Sequence, residues 1–330
     1  MRALTYTTLG IGIVTLAALS GACGGGDDGT GGSGAGTSSG GNACDPSSQP
    51  NCPAASVESD CVALTDNTGA DQFALRLSQL SVTAPQVLTT PLVAAIVSDG
   101  VTINLESCNI KGGMGTFNML TIFDKTADTL TLAGAFPEQN PENGYCIVTD
   151  TANEVEPITV TANLMPDGSF STDTIDRIVV PIFLDLSGDL ASAVFLPLRE
   201  GRITSGQLTD DQNCVGRFAV ETLSPQFECV ADPDYYETGA SLEGYITLED
   251  ADAVVVDQLS QSLCVLLSGD VGTFGDGGDP IERCARDMAG DIVLTGDWCS
   301  ATNSAGGCED AFRLEATVAS SAVTVRTDCP

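Results

Sequence analysis

The 330-residue chain contains no histidine. That removes Ser-His-Asp and Cys-His catalysis, imidazole-ligated metals and the usual charge switch near neutral pH. Positive charge is scarce: Lys+Arg number 12 against 45 Asp+Glu, a formal net charge of −33. Nucleic-acid binding through phosphates rests on Lys and Arg, so it is excluded as the main role. There is one tryptophan, and aromatics make up 5% of the chain. The stacking platforms that sugar clefts often use are therefore few. No C-x-x-C pair occurs, so thioredoxin-like redox chemistry and zinc ribbons both lack their signature. The apolar run near the N-terminus, Leu9–Leu19, has 11 residues, short of the ~20 that a bilayer span needs.

What remains is a 42% apolar composition, enough for a globular body of one large domain or two modest ones. Arg2 followed by the Leu9–Leu19 run and small residues suits an export signal over Met1–Ala22. The junction Gly21-Ala22-Cys23 resembles the lipobox of bacterial lipoproteins, with Ser20 where that family usually has a branched apolar residue. The resemblance implies cleavage before Cys23, a lipid on that cysteine and membrane attachment through it. Gly24 in the next position resembles the default signal for the outer membrane of Gram-negative cells, with the domain facing the periplasm or the cell surface.

Cysteine parity fits this reading. Removing Cys23 from thirteen leaves twelve: Cys44, Cys52, Cys61, Cys108, Cys146, Cys214, Cys229, Cys264, Cys284, Cys299, Cys308 and Cys329. Wide spacing suits structural disulfides in an oxidising compartment. Pairing cannot be read from sequence in general; Cys299–Cys308 and Cys214–Cys229 are the local expectations, each across one turn.

Residues 24–42 hold 10 glycines in 19 positions and read as a flexible tether. Residues 43–60 continue it as a Pro- and Ser-rich lead-in pinned by cysteine. The expected body spans 61–330, with a possible subdivision near Pro233. Period-two alternation predicts strands at Phe73–Leu77, Thr116–Phe123, Pro157–Leu164, Ile178–Leu186, Ala193–Leu198, Gly201–Leu208, Asp291–Gly296 and Phe312–Val325. Pro181 and Pro197 suggest edge strands or bulges. Two helices are expected. One starts at Leu248 under a Thr247 cap and runs to a stop at Gly269, with Leu248, Ala251, Val255, Leu259, Leu263 and Leu266 on one face. The other is Pro91–Ser98, with Thr90 as cap and Gly100 as stop. The expected fold is mainly β: an antiparallel, disulfide-stabilised, sandwich-like body with about two helices.

Chemical motifs are thin. Gly36-Thr37-Ser38-Ser39-Gly40 matches G-x-S-x-G by chance, inside a tether and without a histidine partner. Asp270, Asp276 and Asp279 lie in a glycine-rich loop and are weak calcium candidates; otherwise no cofactor is expected. Asp232–Glu237, with Tyr235 and Tyr236, is a second acidic loop that reads best as a turn. Trp298 is expected to pack against a disulfide at its neighbour Cys299. The function expected is a lipid-anchored, non-catalytic binding or structural ectodomain of unknown ligand. The alternatives are a carboxylate-dependent hydrolase acting on glycans and a calcium-dependent adhesive domain.

Overall fold

The computed structural model describes residues 61–103, 113–218, 236–269 and 280–329. Alternation decides the strands. In Ile158–Leu164, for example, Ile158, Val160, Ala162 and Leu164 point to the core, while Thr159, Thr161 and Asn163 are exposed. In chain order the elements are β1 (Gln72–Ala84), α1 (Pro91–Val101), β2 (Asn118–Asp124), β3 (Thr129–Ala135), β4 (Ile158–Leu164), β5 (Ser169–Thr172), β6 (Ile175–Ile182) and β7 (Val194–Gln207). Then come β8 (Cys214–Val215), β9 (Arg217–Phe218), β10 (Tyr236–Glu237), β11 (Ala240–Thr247), α2 (Leu248–Ala253), β12 (Val255–Val256), β13 (Gln261–Ser262), α3 (Leu263–Leu267) and β14 (Ala311–Val323).

The sheet is a closed barrel of eight strands, not a sandwich. Its order is β1-β2-β3-β4-β5-β7-β11-β14, and β14 returns to pair with β1. Every pairing around the ring is antiparallel. β6 is not a ninth member. Ser169↔Gln207 and Ile175↔Gly201 lie on one unbroken register, so β5 and β6 are a single strand bent at Asp173–Thr174 against β7. The physical reason for closure is strand length and bending. β1, β7 and β14 run 13, 14 and 13 residues. Register shifts at Leu77/Gln79 and Val82/Ala84 in β1, and two more between β7 and β11, kink them enough to wrap. Alternating residues look alike in a sandwich and a barrel, so periodicity could not separate them.

A barrel of about eight strands has an interior that side chains can just fill, or that can hold one small ligand. Here aromatics fill it. Phe73 stacks on Phe123 at 4.9 Å, and Phe170 meets Phe123 edge-on at 5.1 Å. Leu75, Leu130 and Ile203 join them in the core. Gly206 is required here, because a Cβ on it would lie 2.2 Å from the Phe170 ring. Both ends are closed. At one, Cys61 and Ala63 enter the core beside Leu208, Cys214 and Val215, and the Cys61–Cys214 disulfide fixes them there. At the other, Ile246 and Phe312 pack with Leu248, Ala251, Val265 and Leu267 of a small module between β11 and β14, pinned by Cys264–Cys284. A third cluster lies on the outside of the barrel, where Tyr145 covers Ala74, Leu120 and Val323; Cys146–Cys329 staples that layer.

The expected long helix from Leu248 is two short ones. Thr247 does cap the first, accepting from the Asp250 N–H at 3.1 Å. The β-branched run Val254-Val255-Val256 then turns extended, and Ser260 sits at φ 50°, a left-handed step no helix continues through. α1 runs past Gly100 to Val101, and Thr90 makes no side-chain cap. Ala193–Leu198 and Gly201–Leu208 fuse into β7, and Asp291–Gly296 forms no strand beyond a bridge at Ile292. Cys299–Cys308 is bonded as expected. Cys214–Cys229 is not: Cys214 is bonded to Cys61, because the β7–β8 turn folds back under the entering chain.

Candidate functional site on the outer barrel wall

With the interior filled, the chemistry available to a partner is on the outside. Residues opposite one another on paired strands share a face, so the registers of β6, β7, β11, β14 and β1 define three tiers on one wall. The first tier is Arg177, Arg199, Tyr245 and Arg313. The second is Arg202, Glu243 and Glu315. The third is Ser205, Ser241, Thr317 and Ser81. Four of the chain's 12 basic residues thus lie on this one wall.

The arginines are held by carboxylates from neighbouring elements. Arg199 Nε donates to Asp250 Oδ2 at 2.7 Å, tying β7 to α2. Arg177 pairs with Glu154. Glu243 accepts from Arg202 and, at 2.6 Å, from Arg313, whose other amino group reaches Glu315 at 2.9 Å. Burial pulls the Glu243 carboxyl upward most strongly, but the bonds from Arg313 and Arg202 together outweigh it and leave its pKa lowered. Asp250 behaves alike: burial raises it, and Arg199 with the Thr247 hydroxyl brings it below the ordinary value. Burial pushes the Tyr245 phenol up. Arg313 also lies over the Trp298 ring, 5.2 Å from its centroid, a cation–π contact next in sequence to the Cys299–Cys308 disulfide.

A bulge shapes this wall. Between the Arg199↔Tyr245 and Arg202↔Glu243 pairs, β7 spends two residues where β11 spends one. Glu200 there takes φ 51°, a conformation that costs a non-glycine residue about 1 kcal/mol or more. The bulge turns both flanking arginines outward.

The adjoining module is fastened by charge. Asp252, 6% exposed, accepts from Ser262 Oγ at 2.9 Å, from the Cys284 N–H at 2.9 Å and from Arg286 at 3.0 Å. Arg286 also grips Glu249 with both ends of its fork at 2.8 Å. Two groups among the described residues bring cysteine and aspartate atoms within 4.8 Å, namely Asp252 with Cys264 and Cys284, and Asp310 with Cys299 and Cys308. In each, the two sulfurs are bonded to one another, so neither offers the thiolates that a metal would take.

No family model, no curated protein and no solved structure matches the chain. The wall is therefore read on its own chemistry.

Of the residues singled out by sequence, Cys61, Cys146, Cys214, Cys264, Cys284, Cys299, Cys308 and Cys329 all fall in four disulfides. Cys23, Cys44, Cys52, Cys108 and Cys229 lie outside the described residues, as do Asp270, Asp276, Asp279 and Pro233. Of the acidic loop Asp232–Glu237, the last two residues form β10, where Glu237 accepts from Arg217 at 2.5 Å. Sequence reasoning passed over the wall arginines. The available signal was R-x-x-R over Arg199–Arg202 inside a strand pattern, in a chain with few cations. No helix among the described residues is long and apolar enough to cross a membrane.

Proposed function

We propose that the protein is a lipid-anchored component of the cell envelope that binds its partner without turning it over, through the polar wall of β6, β7, β11 and β14. The observation that carries this reading is the tiered wall: arginines, carboxylates and hydroxyls concentrated on one face of a barrel whose interior is packed with its own side chains. The lipobox-like Gly21-Ala22-Cys23 and the glycine tether support the anchor. The disulfides support an oxidising compartment.

Two measurements test it. Intact mass of the native protein should include acyl chains on Cys23, and Cys23→Ser should leave the membrane fraction. For binding, a photo-crosslinking residue at Ser205 or Thr204 should give adducts in cells. The same residue at Thr159 or Thr161, on the outer face of β4, should not. Equal labelling at both places, or none at the wall, overturns the binding surface.

A further inference from the structure

We infer that the outward face of α1, with the neighbouring Met114, docks onto a lipid bilayer, the one that carries the Cys23 anchor. This rests on the lipid-anchored reading given above and adds how the body sits on the membrane. The segment Pro91–Val97 (PLVAAIV) is apolar at every position. A helix that is apolar all round is ordinarily buried. α1 is not. It packs against β1, whose pairing with β2 ends at Arg76 while that with β14 runs on to Ala84. Val97 and Val101 turn into the core there. Ala94 and Ala95 are exposed, Ile96 is 47% exposed and Val93 is half-buried. Met114, whose N–H donates to Asp99 O at 2.8 Å in the last turn of α1, is 45% exposed.

Charge selects the occupant. Leu77–Ser98 is 22 residues without Asp, Glu, Lys or Arg, and elsewhere between Cys61 and Pro330 no such run exceeds 12. The chain carries a net −33, so most approaches to a phospholipid surface bring acids against headgroup phosphates. At α1 that repulsion is least. The one carboxyl of the helix, Asp99, is half-buried. The same composition argues against a protein partner. The exposed residues of the face include no aromatic and no arginine, which anchor protein interfaces, and Ala is depleted in such interfaces. A second copy would bring another −33 with it. Contact with lipid needs apolar area and no directed bonds.

α1 has 11 residues, about 16 Å at ~1.5 Å each, so it lies on the bilayer and does not span it. Without Lys, Arg or Trp it holds lipid weakly by itself. The anchor makes up the difference. On its glycine-rich composition the tether of residues 24–42 spans about 25 Å, which keeps the bilayer at high local concentration. β7, within the polar wall, is three strands from β1 around the ring, so docking through α1 leaves the wall free for its partner.

The test places the full-length acylated protein in phosphatidylcholine vesicles whose acyl chains carry bromine, which quenches tryptophan on contact. The parent, with Trp298 as its one tryptophan, sets the baseline. Ile96→Trp should lose much of its added emission, and Thr161→Trp on the outer face of β4 should lose none. Ala94→Glu within the Ile96→Trp protein should restore that emission with the melting temperature unchanged, because Ala94 is exposed. Cys23→Ser should no longer float with the vesicles, and its Ile96→Trp form should go unquenched. Protein that floats through Cys23 while Ile96→Trp is quenched no more than Thr161→Trp would overturn the docking and leave the anchor standing. Quenching that persists without Cys23 would support the docking and overturn the anchor as its cause. A photo-crosslinking residue at Ala95 that gives a dimer or another protein adduct in place of lipid adducts would assign the face to that partner and end the bilayer proposal.

Discussion

At the scale of single residues, the fold depends on polar groups whose roles composition conceals. Arg76 is 3% exposed on the outward side of β1. Its guanidinium donates to Leu77 O and Val101 O at 2.7 Å each and to the Asn118 side chain, and it lies 5.5 Å from the Tyr145 ring centroid. Arg76→Met keeps the stem and strands those acceptors, so a loss of about 4 kcal/mol is expected in urea unfolding. A change under 1 kcal/mol would mean the bonds are replaced by water. Much of the aspartate excess has an equally local use. Asp66, Asp124, Asp167 and Asp185 each accept the backbone N–H of the residue two places on and so close their turns. Hydrogen bonds from Thr68, Thr126, Ser169 and Ser187 hold these four carboxyls below the ordinary value of 3.8. A depressed folded-state pKa contributes stability that is complete above the unfolded value and is lost as pH falls through the folded one. The melting temperature should therefore hold from pH 7 to 5 and drop below about pH 4. A melting temperature that instead climbs steadily down to pH 3 would show that relief of charge repulsion outweighs the turns.

At the scale of elements, the staples differ in what they constrain. Cys61–Cys214 closes a separation of 153 residues and Cys299–Cys308 one of 9. On chain entropy alone the first is worth about 5 kcal/mol and the second about 2.7. Double alanine replacement of Cys61 and Cys214 should lower the denaturation midpoint clearly more than replacement of Cys299 and Cys308. Equal effects would place the stabilisation in the native state rather than in the unfolded chain. The same contrast between near and far explains what could be read beforehand. β4, β14 and the first part of β1 were foreseeable because each carries its own alternation. The Cys299–Cys308 bridge was foreseeable because it spans one turn. Cys61–Cys214 was not, since its partners meet only after the barrel has closed. β11 escaped notice because Gly244 and Glu243 interrupt its apolar pattern, and its partners β7 and β14 decide its state.

At the scale of the molecule, closure of the sheet could not be read from the chain, because it depends on bulges whose effect is a bend and not a change of composition. The wall arginines were hidden for a related reason: Arg177, Arg199 and Arg313 are far apart in sequence and become neighbours only through register. Net charge, by contrast, was plain from the start, and it governs how the whole body responds to salt. Twelve cations can neutralise at most twelve of 45 acids, so at least 33 negative charges have no matching cation. Screening has two opposed effects. It weakens the Arg–carboxylate pairs, each worth about 0–1 kcal/mol where exposed. It also weakens repulsion among the unmatched acids, which acts over a Debye length of ~10 Å at 0.1 M and ~3 Å at 1 M. The tightest pairs lose least, because Glu243 and Asp252 are shielded from solvent at their bridges, with side chains 16% and 7% exposed. The unmatched charges are more numerous and more open, so repulsion should dominate. Raising NaCl from 0.05 to 1 M should increase the melting temperature by several degrees, at ~2–4 °C per kcal/mol for a body of this size. KCl should act equally, since screening depends on ionic strength. A melting temperature that falls with salt would mean that the ion-paired wall, and not the acidic surface, sets the stability of the barrel.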